Sequence, residues 1–158
     1  MCRFHSTDGL LLVISELTMG SPERLVHKGQ ALPISMKPSN QYLAIFDYVS
    51  SLWAKGEIDA TEIGIAPFED FKSRIHQALN QILAETQKGQ HICIVTSGGP
   101  SAVLTGKALD LNNGKIMELN SIIQKAAKSE FLFSTNRFSL HRFNMVPHLR
   151  ARHLQTYV

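Results

Sequence analysis

Apolar positions along this chain change their period several times, and each change marks an element. Leu10 to Ile14 is an unbroken apolar run, as expected of a short buried strand. Gly20, Pro22, Gly29, Pro33 and Pro38 then interrupt residues 18 to 40, which predicts a long loop broken by short helix. From about 41 to 55, Tyr42, Ile45, Phe46, Val49, Leu52 and Trp53 recur at helical spacing. Ser39 or Asn40 can cap that helix, and Gly56 ends it. Pro67 opens a second helix, running to about 87, with Phe68, Phe71, Ile75, Leu79 and Ile82 as its core stripe and Lys88-Gly89 as its close.

The next stretch carries the most chemistry. His91 to Thr96 reads as a buried strand, Ser97-Gly98-Gly99 as a turn, and Pro100 as the start of a helix to about 109. A turn of this kind aims free backbone N–H groups and the positive end of a helix dipole at one point, so it can hold an anion. Asp110 to Gly114 is a turn and 115–124 a short helix. Lys128 to Ser134 and Arg137 to Asn144 form a hairpin across Thr135-Asn136. The order predicts an α/β sheet covered by helices, with ligands beyond the C-terminal ends of its strands, where Ser97 lies.

Composition narrows the function classes. A length of 158 residues predicts one domain with its own core. The net charge is +3, but the basic residues are scattered apart from Arg150, Arg152 and His153, so no nucleic-acid-binding stripe is present. The run at 10–14 is too short for a signal-peptide core or a membrane span. Two cysteines, Cys2 and Cys93, make no disulfide framework; Cys93 is expected as a small buried hydrophobe, and reduced thiols fit the cytoplasm. The histidines at 5, 27, 76, 91, 141, 148 and 153 include no tight ligand pair, so neither a metal nor another cofactor is expected.

Two familiar motifs fail on inspection. Ser97-Gly98-Gly99-Pro100 matches part of a trypsin-like nucleophile motif, but Thr96 stands where an Asp is needed, and a helix precedes the strand. Gly99 and the Gly106-Lys107 pair suggest a nucleotide-binding loop. Six residues separate the glycines where four are needed, and Ala108 replaces the Ser or Thr.

From about residue 41 the chain resembles the histidine phosphatase superfamily, the phosphoglycerate mutase-like fold. The pieces are Trp53-Ala54-Lys55-Gly56-Glu57, Phe68 to Ile75, Ile94 to Pro100, Phe131 to Ser134, Leu140 to Asn144 and Pro147-His148-Leu149, with Thr156-Tyr157 near the end. Their order and spacing together carry the resemblance. It implies a single three-layer α/β/α domain over 1–158, with 41–158 matched and 1–40 poorly matched. It further implies phosphoryl transfer through an Arg-His-Gly histidine at the end of the first strand. Two arginines and a second histidine would hold the phosphate, and an acid would protonate the leaving oxygen.

Carried over residue by residue, the resemblance keeps the turn as Ser97, Gly98 and Gly99, with Ser97 in the second-histidine position. A Thr-Ser-Gly-Gly branch of the superfamily resembles this stretch. Serine donates a neutral hydrogen bond and no charge, so phosphate affinity falls relative to a charged imidazole. Glu16 resembles the acid, and Arg3 a remnant of the second arginine. No Arg-His-Gly is present. His27, in Val26-His27-Lys28-Gly29, comes nearest, but only about seventy residues separate it from Ser97. The expectation is a fold incomplete at its N-terminus, starting after the nucleophile strand and therefore lacking the central strand of its sheet.

Three readings stay open. The first is a domain without phosphatase activity alone that keeps weak binding of phosphate or a small phosphorylated molecule. The second is a working phosphatase of small phosphorylated metabolites acting through a phosphohistidine. The third is a non-catalytic interaction module, whose open sheet edges would favour pairing with another chain, including a second copy.

Overall fold

The computed structural model describes residues 10–15, 26–27, 30–31, 40–59, 61 and 64–157. In chain order the elements are β1 (Leu10–Ser15), β2 (Val26–His27), β3 (Gln30–Ala31), α1 (Asn40–Lys55) and α2 (Phe68–Ala84). Then come β4 (His91–Thr96), α3 (Gly98–Leu109), α4 (Asn113–Ile122), β5 (Lys128–Ser134) and β6 (Arg137–Met145). The mixed α/β architecture expected from the alternating periods is observed.

Four strands form one sheet in the order β4-β1-β5-β6, and β2 and β3 form a separate two-stranded sheet. β1 is therefore interior. It pairs parallel with β4, Leu10 opposite His91 through Ser15 opposite Thr96, and antiparallel with β5. The expectation that the sheet lacks a central strand is corrected: a strand stands between β4 and β5. The run Leu10 to Ile14 suits that position, because interior strands of mixed sheets carry near-continuous apolar sequence.

One face of the sheet is covered by α2 and α3. Ile92 and Ile94 of β4 and Phe131 and Phe133 of β5 pack against Leu79 of α2 and Leu104 of α3. Phe131 is fully buried and stacks on Phe138 of β6 at 4.9 Å between ring centroids. α1 and α4 pack on this helical layer through Ala54, Ile116 and Ile123. On β4 the burial alternates, and the odd residues His91, Cys93 and Val95 are exposed. The described residues thus supply the sheet and the helices over one of its faces. Cys93, expected as a buried hydrophobe, is a free and exposed thiol. It lies on the face that the described helices leave open.

α3 is the most enclosed helix, with every residue from Ser101 to Gly106 buried. Small side chains make this possible. A Cβ on Gly106 would overlap Ile116 of α4, meeting its Cδ1 at 2.7 Å. The Thr105 hydroxyl is buried too, and donates to the Ser101 carbonyl at 2.8 Å, which removes the cost of an unpaired polar group. α3 starts at Gly98, two residues before the expected Pro100, so the proline sits third in the first turn rather than first.

A polar clamp joins three helices. The Asn113 side chain donates to the Ala54 carbonyl of α1 and to the Glu69 carboxylate of α2, and accepts from Lys72. The hydrogen bonds from Lys72 and Asn113 hold the Glu69 carboxyl below its ordinary value. At the end of β6, Asn144 adopts a positive φ of 55°. Its side chain accepts from the Gln124 N–H and donates to the Ile122 carbonyl, tying the strand to the end of α4.

Two outcomes follow from this packing. Gly106→Ala should cost about 1–3 kcal/mol through overpacking against Ile116, read as a lower urea midpoint at unchanged slope. His76 supplies a pH dependence. Its Nε2 is buried without a hydrogen-bond partner, and burial, helped by Lys107 and Lys72, pushes its pKa below the usual 6.5, against the opposing pull of Glu69. The unfolded chain binds that proton more readily, so stability present above about pH 6.5 is lost as pH falls through the folded value. Denaturation between pH 7.5 and 5.5 should therefore destabilise the native chain more than His76→Gln; equal losses would contradict the assignment.

Candidate functional site

The C-terminal ends of β1 and β4 lie side by side, Ser15 opposite Thr96. Beyond Thr96 the chain turns at Ser97, in extended backbone with φ −82° and ψ 174°, and enters α3 at Gly98. The Ser97 hydroxyl makes no capping hydrogen bond, so it is not spent on the helix end. Its carbonyl does accept from the Ser101 N–H at 3.4 Å. Pro100 has no N–H. The amide donors of the first three helical positions are therefore those of Gly98, which is buried, and Gly99, which no earlier helical carbonyl accepts. With the Ser97 hydroxyl they form a small neutral set of donors on the positive end of a twelve-residue helix.

The turn is held from behind by aromatic packing. A Cβ on Gly99 would stand 3.3 Å from Cζ of Phe71 on α2. A side chain there would push the Phe71 ring back by a few tenths of an ångström, and no unusual backbone angle is involved. Phe71 in turn packs on Trp53 of α1 and Phe68, with centroids 5.4 and 6.1 Å away, and the Trp53 ring N–H donates to the Ala66 carbonyl. Two helices, α1 and α2, thus brace one glycine of α3.

Beside the turn runs an open groove of about 350 Å³, lined by Phe71, Arg74, Ile75 and Ala78 of α2, Ile94 and Thr96 of β4, and Pro100 of α3, among others. Arg74 is exposed and shares the groove with Thr96, the residue before the turn. In the sequence Phe71 belongs to a core stripe, and it and Arg74 both fall in the resemblance piece Phe68 to Ile75, with no site role given to either. The signal for both lay in the spacing from Phe71 through Arg74 to Ala78, which becomes meaningful once β4 is known to lie beneath it.

Of the residues singled out from sequence, Ser97, Gly98 and Gly99 stand together at the strand end. His27 belongs to β2, in the separate two-stranded sheet, and not to a strand neighbouring β4. Arg3 and Glu16 lie outside the described residues. Among the described residues, no group of three or more His, Cys, Asp or Glu side chains could hold a metal ion. No described helix is long and apolar enough to cross a membrane.

No curated protein and no solved structure matches the chain. A family profile does match, over residues 41–146: that of the histidine phosphatase superfamily, branch 1. The match spans α1 through β6, more than half of the chain, and includes the strand, the turn and α3. The chain belongs to the histidine phosphatase superfamily, branch 1.

Proposed function

We propose that this chain is a phosphatase-like domain that binds phosphate, or a small phosphorylated molecule, at Ser97, Gly98 and Gly99, and that has no phosphomonoesterase activity alone. The observation that carries the reading is the pairing of Ser15 with Thr96. In the superfamily the attacking histidine follows the first strand. Here the strand beside β4 ends at Ser15 and continues Glu16-Leu17-Thr18-Met19, with no histidine. In sequence, that continuation carries the carboxylate of Glu16 and no histidine before His27. Glu16 alone is a proton donor, not a nucleophile of the kind this chemistry uses.

The donor set supports weak binding. Two backbone N–H groups and one hydroxyl give neutral hydrogen bonds, about half as strong as charge-assisted ones. The helix dipole adds about 0.3–1 kcal/mol for an anion at its N-terminus. The exposed Cys93 thiol fits a reducing compartment, and the proposal places the chain in the cytoplasm.

Titration with inorganic phosphate, followed by amide resonances, should shift Gly98 and Gly99 before other residues. Ser97→Ala should weaken the binding about 3- to 10-fold, the worth of one neutral hydrogen bond. The chain should not hydrolyse an aryl phosphate. Turnover accompanied by a trapped phosphohistidine would overturn the inactive reading, and if that histidine were His27, the working-phosphatase reading would replace it.

A further inference from the structure

β4 is an end strand of the sheet, and its outer edge pairs with no described strand. Natural sheets blunt such edges with lysine, proline or a bulge. His91-Ile92-Cys93-Ile94-Val95-Thr96 has none of these. Both sides of the edge are apolar. On the helix side lies the groove lined by Ile75, Ala78, Ile82, Ile94 and Leu104. On the other side Val95 is 59% exposed, beside the exposed Cys93.

The neighbouring helix has a charge order that says what covers this surface. Arg74, Ala78 and Gln81, with the capping residue Glu85, follow one another at steps of four, three and four, so they lie along one stripe of α2. All four are exposed, and neither Arg74 nor Glu85 has an ion-pair partner among the described residues. The stripe is positive at its start, small and neutral in its middle and negative at its end. Laid antiparallel on a copy of itself, it sets Arg74 against the partner's Glu85 twice, with Ala78 against the partner's Gln81. A twofold axis produces both contacts at once, because it presents one patch to itself.

We propose that β4 and the Arg74–Glu85 stripe form the interface of a homodimer, in which β4 pairs antiparallel with the partner's β4 and the two four-stranded sheets become one of eight strands. Antiparallel neighbours share a face, so an axis at Cys93 sets Ile92 opposite the partner's Ile94. The partner's α2 closes the groove, and the exposed Val95 edge gains a neighbouring strand. The inference stands on the sheet edge and the charge order, and not on the phosphate reading.

Charge reversal tests the alignment. Sedimentation velocity of the full chain should show a dimer that dissociates on dilution. R74E alone and E85R alone each replace two attractions by two repulsions, and each should weaken the dimer about tenfold or more. The double variant R74E/E85R restores opposite charges and should recover most of the lost affinity. Amide hydrogen exchange of the native chain should slow at Ile92 to Val95 as concentration rises. A monomer at every concentration, a dimer that neither single variant weakens, or a double variant no tighter than the singles would overturn the proposal.

Discussion

The position of β1 between a parallel and an antiparallel neighbour is the constraint on which the other features depend. Among the described residues β4 has one strand partner, and that partner is β1. Without it, β4 and the α2–α3 layer above it would have no hydrogen-bonded link to the β5–β6 hairpin. With it, the parallel register carries the ends of β1 and β4 to the same level, Ser15 beside Thr96. The site is defined by that juxtaposition. It puts the end of β1 beside the strand that leads into the glycine turn, which is where the proposed function looks for a nucleophile.

Packing, more than charge, holds the turn in place. α3 can be enclosed on all sides because Gly106 lets Ile116 approach and because its buried Thr105 hydroxyl bonds within the helix. At the other end of α3, Gly99 lets Phe71 approach, and Phe71 is braced by Trp53 and Phe68. Burying one such aromatic side chain contributes about 1.5–3 kcal/mol. The exposed pair Lys115–Glu118 of α4 contributes a few tenths of a kcal/mol at most. The backbone at Gly98 and Gly99 is therefore held by the core, so a phosphate bound there, as the proposed function has it, need not order it.

Much of this was legible from the chain's own pattern. The stripe Phe68, Phe71, Ile75, Leu79 and Ile82 gave α2, and the runs flanking Thr135-Asn136 gave the β5–β6 hairpin, because single-period elements announce themselves. The turn at Ser97 was found for the same reason. β4 reads from sequence as a buried strand, yet every second residue of it is exposed. Cys93 and Val95 are apolar, so the sequence does not alternate even though the burial does, and only the sheet order shows which face is open. β1 was recognised as a strand but denied its central seat, since strand order is a long-range property that no local window contains. The start of α3 moved from Pro100 to Gly98 because proline is tolerated anywhere in a first helical turn, where its missing N–H has no intrahelical partner. Arg74 falls within the resemblance piece Phe68 to Ile75, but it reads as an ordinary surface arginine until the groove beneath it is known.

Amide hydrogen exchange of β1 tests the central claim most directly. An interior strand bonded on both sides should keep the amides of Leu11 to Ile14 as protected as those of Phe131 and Leu132 in β5. Exchange of the β1 amides at the rate of an unstructured chain, with β5 still protected, would contradict it. The sheet would then lose its link between β4 and β5, and Ser15 would no longer stand beside Thr96.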